Sequence, residues 1–293
     1  MSCWTWPSFS ISPGCWRKKI KTIDLHVHSI HSDGTCTVEQ IVGIARRRGV
    51  SVMSLTDHDT LDGWKSFRKL CRDSSIRPIS GVELSSVYSR VVHILGYRME
   101  RFEPVEEVLE WVRERRNDRN ERIVSRLREL GADVTMEDVR REAGGPVVGR
   151  PHIARALAAK GIVPDLPAAF SEYLARGAPA YVQREGLSPE GCVRVIREAG
   201  GLPVLAHPSL TGLEGGDFDD FLDEMKGYGL WGLECISSHC SSVKAYNYLA
   251  AAEKHALFPT AGSDFHGSIR PNAALGVQVS DDFLPWARLC VNF

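Results

Sequence analysis

The chain has 293 residues, 43% of them hydrophobic and 25% charged, enough to bury one large core or one core plus a small appended domain. Its formal net charge of −1 excludes a global field that would hold the whole molecule on nucleic acid or an anionic membrane, so any such contact must come from a local patch. Eight cysteines without a single C-x-x-C pair suggest neither a zinc ribbon nor a disulfide framework, and they fit a reducing cytoplasm.

Residues 1–20, MSCWTWPSFSISPGCWRKKI, are expected to be a poorly ordered extension. They are not expected to act as a secretory leader, because Ser and Pro interrupt any apolar run and the charges come last. Beyond them short apolar runs alternate with longer amphipathic ones. The runs predict strands over 22–29, 50–56, 77–83 and 91–97, and, after a gap, over 202–206, 232–236 and 258–261. Helices are predicted between them. The one over 38–48 carries Thr37 with Gln40 three residues on, a capping box, and stops at Gly49. Others run over 61–73, from Ser188-Pro189 to Gly200-Gly201, and over 243–255. Strand, helix, strand repeated in this way predicts a parallel sheet, and seven strands predict a closed or nearly closed barrel. No window approaches the roughly 20 apolar residues of a transmembrane helix, so no membrane contact is expected, and no stable protein partner can be inferred.

Residues 100–182 break the alternation with a long helical pattern over 105–130 and no convincing strand, which predicts a helical insertion. Its central turns, RERRNDRNER, are either a solvated face laced with i,i+4 ion pairs or a basic rim facing an anionic substrate.

The chemistry begins in DLHVHSIHSDGT. Alternate side chains of a strand share a face, so Asp24, His26 and His28 point one way, and two imidazoles on one face can bind one cation. A lone H-x-H carries little weight. It gains weight because TDHD with His58, Glu83, His93, His207, Asp264 and His266 all fall at the ends of predicted strands, where barrel active sites are built. With Asp33 in the loop these make nine candidate ligands. Imidazole and carboxylate suit zinc, manganese or iron. One tetrahedral ion needs only about three or four protein ligands, so nine suggest two or three divalent ions, with magnesium possible.

The ordered set DLHVHSIHSDGT, RGVSVMSLTDHDTLDG, SGVELSS, VVHILGY, GRPHIARAL, GGLPVLAHP and GSDFHG resembles the PHP (polymerase and histidinol phosphatase) family of metal-dependent phosphoesterases. Within it the chain is similar to the 3′,5′-nucleoside bisphosphate phosphatases and RNase AM-type 5′-3′ exoribonucleases. The resemblance implies an α/β fold, a distorted (β/α)7 TIM-like barrel made of residues 21–99 and 183–293, with residues 100–182 capping the active site. It implies a trinuclear centre: His26, His28 and Asp264 for a first ion, Glu83 bridging to a second held by His93 and His207, and Asp33, His58 and His266 for a third. Cys36 stands where an aliphatic residue is usual, a swap expected to be neutral because Cys packs as a small hydrophobe.

The expected activity is hydrolysis of phosphate esters of small nucleotides or RNA 5′ ends by a metal-bridging hydroxide, with Glu83, Asp264 and His266 catalytic through the metals. Asp57 and Asp59 are open as proton donors, Asp59 being equally able to cap the helix near Leu61. Asp24 is expected to support the ligands from within the barrel. Arg150 and His152 sit just ahead of a helix and could grip a substrate phosphate, or Arg150 could ion-pair within the insertion. Arg184 and His239 are further phosphate-binding candidates, and His239 also competes with His207 as a ligand. His31 has no partner in the ligand pattern and is placed on the rim at most. Other readings are a histidinol-phosphate-type phosphatase, a metal-dependent amidohydrolase, and a non-catalytic binding module stabilised by metal.

Overall fold

A computed structural model describes residues 20–143, 145, 147–280, 283, 285, 288 and 289. The extension expected over residues 1–20 lies outside these, Ile20 excepted. In chain order the elements are β1 (Ile20–Asp24), α1 (Val38–Arg47), β2 (Val50–Leu55), α2 (Trp64–Arg72), β3 (Arg77–Ser85) and β4 (His93–Tyr97). Next come α3 (Glu103–Glu129), α4 (Met136–Glu142), α5 (Arg150–Ala159), α6 (Leu166–Ala169) and a π-helical turn, Phe170–Leu174. The chain then returns through α7 (Pro189–Glu198), β5 (Leu202–Leu205), α8 (Gly215–Tyr228), β6 (Gly232–Ile236), α9 (Ser242–Lys254), β7 (Phe258–Ala261) and β8 (Val277–Ser280).

The strands form one sheet in the order β7-β6-β5-β4-β3-β2-β1-β8, the near-sequential order of a TIM-like barrel. Two features correct the sequence reading. β4 is antiparallel to both β3 and β5, and an eighth strand, β8, pairs antiparallel with β1. The first was legible in the spacing, since residues 86–92 are too few for the dozen or so that a parallel crossover needs. β8 has only four residues, too few to show alternation. Helix α8 was also missed. Its apolar residues Phe218, Phe221, Leu222 and Met225 keep helical spacing, but Gly215-Gly216 at its start and Gly227 near its end read as loop.

β1 ends at Asp24, short of the strand expected to reach Ser29. Beyond it the chain stays extended and closes the barrel by pairing with the segment after β7. Leu25 N donates to Ala261 O (3.2 Å), His28 N to Phe265 O (2.9 Å), and Val27 bridges Phe265. The barrel interior is filled by alternate residues of successive strands, Ile23, Leu25, Val52, Ile79, Leu95, Val204 and Ala261, all 4% exposed or less. Tyr97, fully buried among them, donates its hydroxyl proton to Leu25 O at 2.8 Å.

Helix α3 belongs to two cores. Val105 and Leu109 pack with Ile196 of α7 and the outer face of the barrel, whereas Ile123, Val124 and Leu127 pack with Ile153 and Leu157 of α5 in a separate cluster. This long helix carries residues from the barrel side into the helical segment, and Asn120 Nδ2 ties it to Val148 O at 2.8 Å.

The closing seam leaves no room for a side chain at Gly262, where an added Cβ would meet the His26 side chain and lie 2.6 Å from His26 N. Gly262→Ala is therefore expected to destabilise the fold by about 1–3 kcal/mol in urea denaturation. Gly216→Ala on α8, where nothing lies within 4 Å of an added Cβ, should be neutral or stabilising by up to about 1 kcal/mol. Equal effects at the two sites would contradict the seam.

Candidate metal centre

Glu83 is the hub. Its carboxylate is fully buried and faces five imidazoles. His93 Nδ1 and His207 Nε2 each lie 2.9 Å from Oε1, and His26 Nε2, His28 Nε2 and His58 Nδ1 lie 3.1–3.2 Å from Oε2. Beside it Asp264 Oδ1 stands 3.4 Å from His26 Nε2, 3.3 Å from His28 Nε2 and 3.4 Å from His266 Nδ1. Asp33 Oδ1 is 3.3 Å from His266 Nε2 and 3.7 Å from His28 Nδ1.

The nine ligands expected from sequence thus converge. Ligand atoms of His26, His28, Glu83 and Asp264 lie within 4.8 Å of one another, as do those of His28, Asp33, His58 and His266 and those of His58, Glu83 and His93. His28 faces two of these groups, and His207 reaches the centre through Glu83 Oε1.

Whether the donors fit cations can be tested on their unpaired atoms. Glu83 Oε2, Asp264 Oδ1, His266 Nε2 and His207 Nδ1 are all buried without a hydrogen bond, a cost of about 1–3 kcal/mol each unless something else satisfies them. His26 Nδ1 lies 2.9 Å from Glu234 Oε1, so its proton belongs there. Its Nε2 lone pair then points at His28 Nε2, 3.0 Å away, and at two carboxylate oxygens. Acceptors aimed at acceptors in a buried site are what a cation resolves, and the donor set is that of zinc, manganese or iron.

The local fields couple these groups strongly. Burial alone would raise the carboxyl groups of Glu83, Asp264 and Asp33, yet the surrounding histidines hold all three well below the usual carboxylate range. Burial would lower His28, but its contacts with Asp264 and Glu83 raise it to about 9. Burial, with His28 and His93 adding to it, pushes His58 well down despite Glu83 and Asp33. The backbone is strained at the same place: Asp59, His207 and Asp264 have φ of 52°, 25° and 54°, which non-glycine residues adopt at a cost of about 1–3 kcal/mol each.

Several sequence expectations change. Asp57 is no free acid, because its oxygens accept from Ser29 N (2.7 Å), Ser29 Oγ (2.7 Å) and Ser32 Oγ (2.6 Å). Asp59 does not cap α2, whose N-cap is Gly63. It accepts instead from Ser85 N and Oγ and pairs with Arg116 and Arg184. Asp24 does support the site, accepting from Ser263 N (2.8 Å), Ser263 Oγ (2.6 Å) and Gly276 N (2.7 Å). His239 is 2.6 Å from Asp264 Oδ2, the oxygen opposite the unpaired one, and Arg270 joins it there. His31 lies outside the ligand groups, with its ring beside Gly63. Arg150 donates to Leu174 O, and His152 accepts from Gly149 N.

Sequence reasoning missed Glu234 and Arg270, and it left Arg116 and Arg119 undivided within the run RERRNDRNER. Glu234 had a signal: it is a carboxylate in the middle of the apolar strand GLECI, where only a buried partner could hold it. It orients His26 and accepts from His207 N at 2.6 Å.

The PHP domain model covers residues 24–137. A 3′,5′-nucleoside bisphosphate phosphatase of Chromobacterium violaceum is 32% identical over 247 residues, 83% of this chain and 87% of the relative. The chain belongs to the PHP family. The 5′-3′ exoribonuclease Rnm of Escherichia coli is also 32% identical, over 83% of this chain and 84% of its own. A solved Bifidobacterium adolescentis protein, described as a metal-dependent phosphoesterase, superposes with a TM-score of 0.82 at 30% identity, covering 94% of this chain and 97% of that one. This PHP protein is a metal-dependent phosphoesterase, a hydrolase of phosphoric ester bonds.

Because Glu234 fixes the His26 tautomer, Glu234→Gln is expected to weaken metal binding by about 10–100-fold. Competition with a chromophoric chelator measures it, and unchanged affinity with an intact circular dichroism spectrum would remove the orienting role.

Proposed function

We propose that this PHP enzyme hydrolyses phosphate esters of nucleotides, 3′,5′-nucleoside bisphosphates or the 5′ ends of RNA, with two or three divalent ions of manganese, iron, zinc or magnesium. The observation that carries the reading is the buried centre of unpaired ligand atoms around Glu83 and Asp264, in a chain whose relatives bear those two activities in their names. His26, His28, Glu83 and Asp264 would hold one ion, Glu83, His93 and His207 a second, and Asp33, His58 and His266 a third. Such ions supply an acidified water at neutral pH and neutralise phosphate oxygens.

The chain's own residues keep that site in register. Glu83 and Asp264 stay ionised inside the barrel because imidazoles surround them. Glu234 holds His26 with its lone pair inward, and His239 and Arg270 occupy Asp264 Oδ2 so that Oδ1 remains available. Glu83, Asp264 and His266 are the residues assigned to catalysis, through the metals. The helical segment over residues 100–182 is read as the cap. No helix among the described residues is long and apolar enough to cross a membrane. The five described cysteines are unpaired, which supports a cytoplasmic setting.

A manganese-supplemented panel of adenosine 3′,5′-bisphosphate, short 5′-phosphorylated RNA, histidinol phosphate and N-acyl amino acids tests the reading. The nucleotide substrates should turn over fastest. Faster turnover of histidinol phosphate would overturn the nucleotide assignment, and faster turnover of the amides would overturn phosphoester hydrolysis altogether. Glu83→Gln should abolish activity and lower the metal content measured by elemental analysis with little loss of fold.

A further inference from the structure

The ligands of the centre rest on different supports. Glu234 holds His26, and His239 with Arg270 holds Asp264, through bonds made on the barrel side. Asp33 is held by the loop 29–36, which is folded on itself. Ser32 N and Gly34 N both donate to Ser29 O, at 3.1 and 3.0 Å, and Ile30 N donates to Cys36 O at 3.0 Å. The turn is so tight that a Cβ at Gly34 would lie 2.5 Å from His28 O.

Two further ties fasten this loop to the segments that carry His58 and His266. On one side stands the buried Asp57, next to His58 in the chain. Its Oδ1 accepts from Ser29 N and Ser32 Oγ and its Oδ2 from Ser29 Oγ, while Ser29 Oγ accepts in turn from His31 N at 3.1 Å. The Ser32 hydroxyl has one proton, and it goes to Asp57 at 2.6 Å in preference to Asp33 Oδ1 at 3.5 Å. On the other side Thr35 N and Thr35 Oγ1 donate to His266 O at 3.2 and 3.3 Å, and Oγ1 accepts from Ser268 N at 2.9 Å. Gly267, with φ of 70°, permits this approach, because a Cβ there would run into Thr35 Oγ1.

The loop thus reaches from the neighbour of His58 to the backbone of His266 with Asp33 between them, and these three side chains, with His28, form one of the ligand groups. The group is also more open than the one around Glu83 and Asp264. The side chains of Asp33 and His58 are 17% and 14% exposed, against 0% for His26, His28 and Glu83 and 2% for Asp264.

We infer that the loop 29–36 is a clasp that sets the affinity of the third ion alone, with Ser32 and Thr35 as its positioning residues. The inference rests on the proposed function, which assigns that ion to Asp33, His58 and His266, and deepens it: this ion enters and leaves while the others stay. The physical reason is that releasing the clasp frees Asp33 and the His266 backbone but breaks none of the bonds from Glu234, His239 or Arg270. Hydrogen-bonding partners of this kind alter metal affinity by about 10–100-fold.

Manganese titration of the full chain, followed by the electron paramagnetic resonance signal of the free ion, reads each affinity apart from turnover. The wild type should take up three ions. Ser32→Ala and Thr35→Val should each weaken one of them by about 10-fold or more and leave the other two within about two-fold. Ser32 Oγ also lies 3.5 Å from His28 Nδ1, so Thr35→Val, on the far side of the loop, checks that the effect does not come through His28. Combining Ser32→Ala with Glu234→Gln should weaken two ions, because the two supports act on different groups. If circular dichroism shows one loop variant unfolded, the other carries the measurement. Equal weakening of all three ions in the loop variants, or affinities unchanged in both, would overturn the clasp while leaving the three-ion reading intact. A wild type that takes up only two ions would instead overturn the third ion of the proposed function, and the clasp with it.

Discussion

A carboxylate buried among imidazoles is the constraint on which the rest of this structure depends. Glu83 is fully enclosed in the barrel, and an unpaired charge there would be prohibitive. Five imidazoles face it, but Oε2 still lacks a hydrogen bond, as does the neighbouring Asp264 Oδ1. Protons on histidines can offset part of this charge. Divalent cations offset it with the donor geometry already in place, and the remainder of the fold can be understood as the means of holding these ligands together.

The barrel does this at its closing seam. The chain after β1 and the chain after β7 hydrogen-bond to each other, bringing His26 and His28 beside Asp264 and His266, residues more than two hundred positions away. Gly262 lets the two backbones approach, and Asp24 ties the three segments with bonds to Ser263 and Gly276. Strained backbone at Asp59, His207 and Asp264 shows that the surrounding structure dictates ligand direction against local preference. Glu234, His239 and Arg270 then fix which atom of each ligand faces inward. The barrel supplies the carboxylates and imidazoles, and the helical segment with the returning chain places arginines beside them, two of which pair with Asp59.

Much of the barrel was legible because its strands are short apolar runs separated by capped helices, and Thr37 and Ser188 cap α1 and α7 as their sequences indicate. The antiparallel β4 was legible too, in the shortness of residues 86–92, but the alternating pattern outweighed it. Helix α8 was hidden by glycines that its packing against Tyr248 and the barrel overrides. The arginines of α3 show the limit of a charge run: Arg119 and Asn120 are buried while Glu121 and Arg122 are exposed, a division set by which face of α3 meets Val148 and the returning chain.

The sequence by itself determined the candidate ligand types, their placement at strand ends and the family, because donor chemistry is local and strand termini have local signals. Tertiary structure alone decided which nitrogen of each histidine faces the centre and which oxygen of each carboxylate stays unpaired. It also decided that Asp57 and Asp59 are structural, and that Arg116 and Arg184, from two segments, share Asp59. Those outcomes depend on distances between residues far apart in the chain, and no local pattern encodes such distances. The opening DLHVHSIHSDGT contains half of a centre whose other half, at Asp264 and His266, is brought to it only by barrel closure.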